Sequence, residues 1–230
     1  MRKNGQNQPS EVSYMATRLP PEEMIADFAS GSTSPAVSLL MAAHLTQSPE
    51  SRERLSAYED ACGALLRGET CASMGADSFD AVLAMIDADP SDTAETGSIV
   101  AAKADCPLPQ PVLDRIGMKF DEIPWKFRLP GVSVYDIEDE GGQKISLLRA
   151  KPGASVPQHT HHGTELTLVM QGVLLDNGIE YHAGDVAVNT EDDDHRPRIL
   201  GDQMCYCLIV QQGDLHFTGR FSRILNYIGE

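Results

Sequence analysis

The chain has 230 residues, enough for one large domain or two small ones, and its 41% hydrophobic and 23% charged residues are ordinary globular proportions. A formal charge of −16, from 34 acidic and 18 basic residues, argues against direct binding to nucleic acid or to an anionic membrane surface and favours a basic partner. No run of about 18 apolar residues could cross a bilayer, no apolar stretch follows the basic start as in a secretory leader, and the odd set Cys62, Cys71, Cys106, Cys205 and Cys207 contains no CxxC pair, so we expect a cytoplasmic protein with reduced thiols.

Residues 1–19 are polar and without periodicity, and they are expected to form a disordered extension. Pro20-Pro21-Glu22-Glu23 then reads as a helix start, with Met24, Ile25 and Phe28 on one face and Gly31 as the stop. Ser34-Pro35 opens a second helix with Val37, Leu40, Met41 and His44 at helical spacing. Ser48-Pro49-Glu50 predicts an N-cap and a third helix carrying Leu55, Tyr58, Cys62, Leu65 and Leu66, ending near Gly68. A fourth amphipathic segment from Asp77 to Ala88 carries Phe79, Val82, Leu83 and Ile86. Together they predict a small all-α N-terminal domain over 20–88, a bundle with a thin core that needs a partner to be fully stable.

Residues 89–111, rich in Pro, Ser, Thr, Asp and Ala, read as an inter-domain linker. Beyond it the periodicity becomes alternating, with apolar runs at 131–135, 144–148, 165–171, 185–189 and 204–211 and a hairpin signal at Asp176-Asn177-Gly178. This predicts an all-β sandwich or barrel over 112–230.

The chemistry lies in that second half. His159 and His161 are two apart in an expected strand, so their side chains share a face, and Glu165 follows a short His-Gly-Thr turn. Two imidazoles and a carboxylate can thereby surround one divalent metal. From Gly153 to Gly172 the pattern GxxxxxHxHxxxExxxxxxG resembles the first motif of the cupin family. The second cupin motif, GxxxxxPxGxxHxxxN, lies on Gly184 and His195, with Thr190, Asp192 and Ile199 in place of its proline, glycine and asparagine. The resemblance implies a cupin, a double-stranded β-helix forming a jelly-roll-like barrel, with His159, His161, Glu165 and His195 as the metal ligands. His162, His182 and His216 are expected to lie outside the site.

The helical part, from Met24 through Phe28-Ala29-Ser30-Gly31, Ala36 to His44 and Ala61-Cys62-Gly63-Ala64-Leu65-Leu66, resembles the N-terminal domain of the ChrR-type anti-sigma factors, zinc-dependent proteins whose C-terminal half is a cupin. That family's HxxxCxxC zinc motif has its histidine at His44, but Ser48 and Ser51 occupy the cysteine positions and no histidine lies upstream. Serine hydroxyls are poor zinc ligands, so we expect a vestigial zinc position at His44, with Ser48 capping the third helix.

The resemblance implies an anti-sigma factor: the helical domain would mask an extracytoplasmic-function (ECF) sigma factor, and the cupin domain would sense oxidative stress. Residues 1–105, with 16 acidic and 7 basic residues and a net of −9, suit a partner with basic surfaces. Cys205 and Cys207 share a strand face. They are either small buried hydrophobes or, by matching two late cysteines of the ChrR-type cupins, an oxidant-responsive pair. Zinc is the expected metal, with iron, nickel or manganese as alternatives. A second reading is a metal-dependent cupin dioxygenase; a third is a barrel serving only for binding or for assembly, a homodimer included.

Overall fold

Serines and prolines set the helix starts in this chain. In the computed structural model, which describes residues 16–88, 106–140 and 142–219, α1 spans Glu22–Ala29 with two glutamates in its first turn. α2 (Pro35–Gln47) is capped by the Ser34 hydroxyl, which accepts from the Val37 N–H at 3.3 Å. α3 (Pro49–Arg67) is capped by the Ser48 hydroxyl, which accepts from the Ser51 N–H at 3.2 Å; in both cases proline occupies the first turn, where its missing N–H is not needed. α4 (Ser78–Asp87) follows, and α5 (Gln110–Ile116) ends where Gly117 takes up left-handed backbone at φ 65°. The expected N-terminal extension falls mainly on residues outside the described ones, as do 89–105 of the expected linker; Gln110 and Pro111, assigned to that linker, are helical.

The strands are β1 (Lys126–Leu129), β2 (Val132–Glu140), β3 (Gln143–Ala150), β4 (His159–His161), β5 (Glu165–Gln171), β6 (Val173–Asp176), β7 (Ile179–Tyr181), β8 (Val186–Asn189), β9 (Arg198–Leu200), β10 (Cys205–Gln212) and β11 (Leu215–Phe217). They form a six-stranded sheet in the order β1-β2-β3-β10-β5-β8, a three-stranded sheet β7-β6-β9 and a ribbon β11-β4, with antiparallel pairing throughout. Asn177 (φ 46°) and Gly178 (φ 79°) make the tight β6–β7 turn that an Asp-Asn-Gly sequence predicts. A helical region followed by a cupin-type β domain is thus the architecture.

Period-2 alternation gives the main sheet two apolar faces. On β10, Cys205 and Cys207 join Val132, Leu148, Val169 and Ile199 on the inner face, whereas Tyr206, Leu208 and Val210 join the outer layer. That outer layer is shared with Leu39, Leu40, Met41 and Ala43 of α2 and Val112 of α5, so α2 packs against the sheet. Its buried set (Ala36, Leu39, Leu40, Met41, Ala43, His44) is wider than the expected stripe, because the helix faces the sheet as well as α1 and α3.

The bundle expectation needs correction at its far end. α4 buries none of its residues, and Phe79 (69% exposed), Val82, Leu83 and Ile86 leave an apolar face open, as do Leu65 and Leu66, each 75% exposed, at the end of α3. Amphipathic spacing identified an apolar stripe correctly, but among the described residues nothing covers it.

A polar junction joins the helices to the barrel at the turn before β8. His44, fully buried, contacts the Gly184 carbonyl through Nδ1 and the Ser51 hydroxyl through Nε2, each at 2.7 Å. Gln47 donates to the Met170 carbonyl at 2.8 Å, and the Asp185 carboxylate accepts from the Thr17, Arg18 and His182 N–H groups. Gly184 sits there at φ +92°, where a Cβ would press to 3.0 Å from the Ala16 Cβ and 3.3 Å from that of Gln47. Burial holds the His44 ring below its usual pKa, against the opposing pull of the Gly184 carbonyl and the Asp185 charge, so the neutral tautomer with Nδ1–H towards Gly184 satisfies both contacts. His44→Ala leaves a cavity and two buried polar groups without partners; the expected loss is about 2–4 kcal/mol of stability, to be read as a lowered midpoint in denaturant.

Candidate metal centre

Three of the four proposed ligands arrive by local geometry. β4 places His159 and His161 on one buried face with Thr160 pointing outward. β11 flanks β4, with Phe217 opposite His159 and Leu215 opposite His161. The turn to β5 passes through Gly163 at φ +94°, where a Cβ would sit 3.0 Å from the Gln212 carbonyl oxygen, so glycine lets the chain reverse tightly enough for Glu165 to begin β5 beneath the histidines. His195 lies between β8 and β9. Its backbone exchanges two hydrogen bonds with that of His159 (3.0 and 2.9 Å), fixing the distant histidine beside the HxH pair.

The side chains converge. One ligand atom from each of His159, His161 and His195 falls within 4.8 Å of the others, and all three rings are buried. His161 Nε2 lies 2.9 Å from His195 Nε2 and 3.4 Å from Glu165 Oε2. Each Nδ1 is engaged elsewhere: that of His159 by the Pro157 carbonyl (2.7 Å), that of His195 by Asp176 Oδ2 (2.8 Å) and that of His161 by the Gln211 amide (3.2 Å). At His159 and His195 the carbonyl or carboxylate at Nδ1 holds the proton there and leaves the Nε2 lone pair free for a metal. At His161 the Gln211 amide N–H donates to Nδ1, so the ring proton sits on Nε2 facing His195, and a metal must displace it or the Gln211 amide must turn its oxygen to Nδ1. Imidazole and carboxylate donors, oriented from behind and buried, fit a divalent ion.

The electrostatics fit as well. Burial, reinforced by the neighbouring His195, brings His159 down to about 4, and burial together with the charges of His159 and His195 brings His161 to about 4. Both therefore remain neutral ligands at physiological pH. Burial raises Glu165 to about 7, against the pull of His195 and the Thr167 hydroxyl. For His195 burial acts downward, but the hydrogen bond and charge of Asp176, with Glu165 and Asp193, leave it raised. A metal must displace any proton on Glu165 or His195, so its affinity falls as pH drops. Below about pH 7 we expect apparent affinity to fall about tenfold per pH unit for each proton displaced, measured by competition with a chromogenic chelator between pH 8 and 6.

The remaining sequence-derived candidates separate. His162 is exposed, and its N–H is bonded to the Asp214 carbonyl. His182 lies 3.8 Å from Glu180, and His216 is exposed on β11. His44, far along the chain, belongs to the junction before β8 and not to this cluster. Cys205 and Cys207 are buried reduced thiols with sulfurs 3.7 Å apart, and Cys207 lines the cavity beside Glu165. The hydrogen bond with Cys205, then burial, pushes the Cys207 thiol well above its ordinary range.

Sequence reasoning missed Asp176, read only as the first residue of a hairpin turn. It is 3% exposed at the inner end of β6, accepts from Asn189 Nδ2 at 3.2 Å and holds His195. A carboxylate at the buried end of an apolar strand was the available signal. Asp176→Asn keeps the shape and removes the charge that fixes the His195 tautomer; we expect about 10–100-fold weaker metal binding with an unchanged far-ultraviolet spectrum, checked by the same chelator competition.

Residues 113–215 match the family described as the ChrR cupin-like domain. The chain is 29% identical over 205 residues to the anti-sigma-E factor ChrR of Cereibacter sphaeroides, a match covering 89% of this chain and 93% of that protein. Among solved structures it is similar to the crystal structure of Rhodobacter sphaeroides SigE in complex with the anti-sigma ChrR, with a TM-score of 0.73 and 27% identity over 85% of this chain and 98% of the matched chain. An RmlC-like cupin protein from Ralstonia eutropha gives a TM-score of 0.40 at 24% identity, over 48% of this chain and 85% of that one.

Proposed function

We propose, from the premise that residues 113–215 belong to the ChrR cupin-like family and that the chain resembles the ChrR-type anti-sigma factors over most of its length, that this protein is an anti-sigma factor for an ECF-type sigma factor. The observation that carries the reading is the likeness to the SigE–ChrR structure, which spans helices and barrel together rather than the barrel alone. The open apolar face of α4 and the end of α3 supply a surface for the partner to cover, and a net of −9 over residues 1–105 complements a basic, polymerase- or DNA-binding protein. In this reading 20–88 binds the partner and 112–230 is the sensor, joined through 89–111, of which Gln110 and Pro111 open α5. No helix of the described residues is long and apolar enough to cross a membrane, and a sigma factor partner implies cytoplasmic work.

The metal of His159, His161, Glu165 and His195 is zinc in this reading, since three imidazoles and a carboxylate complete a closed tetrahedral shell. When bound it would supply a positive charge that holds together three segments of the barrel, β4, β5 and the β8–β9 connection. Oxidant sensing is assigned to Cys205 and Cys207, whose sulfurs are close; the Cys207 thiol is held protonated and both are buried, so oxidation to a disulfide by a peroxide-class oxidant would require the inner sheet face to open first. Cys207→Ser is expected to abolish release of the partner by peroxide while leaving binding intact, read by partner capture with and without peroxide. A dioxygenase remains the second reading, favoured by the cavity beside the histidines.

The test is affinity capture from the native host with the full chain as bait. Recovery of a stoichiometric ECF sigma factor is the expected result; capture of no sigma factor, together with oxygen consumption by the iron-loaded protein on a metabolite panel, would transfer the assignment to the enzyme.

A further inference from the structure

The β7-β6-β9 sheet carries a groove of about 480 Å³ on the face turned away from the barrel interior, within the range of small-molecule sites. Alternation decides what that groove displays. Leu174 and Ile199, paired across β6 and β9, line the interior, and the next pair, Leu175 and Arg198, faces the groove. Arg196 stands two residues before Arg198 and lines the groove with it, whereas Pro197 between them faces inward. Ser155 closes the rim: its backbone bridges to that of Arg198, and its hydroxyl accepts from Arg196 Nε at 3.4 Å.

Both arginines are exposed, and neither forms an ion pair with a described residue. The acidic run beside them is engaged elsewhere, Asp193 accepting from Thr190 and Asp194 from Gln158 and Thr218. Glu180, opposite Leu175 on β7, lies 3.8 Å from His182. Among the described residues, no acid lines the groove. A guanidinium presents a planar fork of donors that fits two oxygens of a phosphate at once. Two such forks without carboxylate partners, beside one apolar residue, match a doubly charged tetrahedral oxyanion.

We infer that this groove binds a phosphate group, free or carried on a small molecule, through Arg196 and Arg198, with Leu175 as the floor for any organic part. This goes beyond the anti-sigma reading and does not depend on it, since the groove belongs to the outer face of the barrel alone. A metal held by the interior histidines could itself attract an anion, so the test has to separate the two faces of the sheet.

Titration calorimetry on the full metal-loaded chain, with inorganic phosphate, phenyl phosphate and benzoate as probes, does so. The better of the two phosphates should bind with a dissociation constant below about 1 mM, and benzoate, with a single charge, at least about tenfold more weakly than phenyl phosphate. Tighter binding of phenyl phosphate than of inorganic phosphate identifies an organic phosphate as the ligand; equal or weaker binding identifies the free ion. Arg196→Gln with Arg198→Gln should weaken both phosphates about tenfold or more, while chelator competition gives an unchanged metal affinity. Leu175→Glu, which sets a carboxylate in the groove, should weaken them likewise, and it carries the test if the double variant does not fold. Phosphate binding that survives these changes lies at the metal and overturns the inference. So does an absence of heat with either phosphate, or benzoate binding as tightly as phenyl phosphate. Failure to capture a sigma factor would leave these results untouched.

Discussion

A protein carrying His161→Ala will bind its divalent metal about 100- to 1000-fold more weakly than the unaltered chain, while His162→Ala and His216→Ala will bind it as before. The expectation rests on position rather than on histidine content. His161 is buried, its Nε2 faces both His195 and Glu165, and its Nδ1 is held from behind by Gln211. His162 is the next residue and points outward. Apparent binding energies of about 10–16 kcal/mol for four-ligand zinc sites, shared among the ligands, make the loss of one worth roughly 3–4 kcal/mol. Equal losses for His161 and His162 would show that the metal is held by the surface of the loop and not by the barrel.

The second large effect concerns the partner. Leu83 and Ile86 are 42% and 54% exposed on α4, a helix with no buried residue. With about half of each side chain left to cover, the two contribute about 1.5–3 kcal/mol together, and burying two carboxylates in their place adds to the cost, so Leu83→Asp with Ile86→Asp should weaken sigma-factor binding by about 100-fold or more. The same pair should leave the melting temperature nearly unchanged, because exposed positions seldom contribute to folding stability. Full affinity in the double variant, measured by interferometry with the captured sigma factor, would move the contact to the α1–α3 face instead.

The two halves of the molecule were legible to different degrees. Helix starts were plain, because a cap is a local event: Ser34 and Ser48 bond N–H groups three residues on, and Pro35 and Pro49 stand where a helix tolerates them. The strand faces were plain for a similar reason, since alternation alone puts Cys205 and Cys207 on one face and Tyr206 on the other. The fate of an apolar stripe was not. α2 and α4 both carry one, yet α2 is covered by the outer sheet face and α4 is covered by no described residue, and spacing within a helix carries no information about what lies opposite.

His44 shows the same divide. Its place in a motif stripped of cysteines was visible in the sequence, and so was the cap at Ser48. That its ring would bridge Ser51 to the Gly184 carbonyl, 140 residues away, was not.

The metal centre divides along that line too. The candidate ligand types, the shared face of His159 and His161 and the turn that brings Glu165 under them were readable along the chain, because strand alternation and a left-handed glycine act over a few residues. Tertiary packing alone brought His195 to them through a backbone bridge to His159 and set Asp176 behind its ring. Those are contacts between strands of different sheets, set by how the sheets close over one another, and buried side chains find such partners by packing rather than by any spacing along the chain.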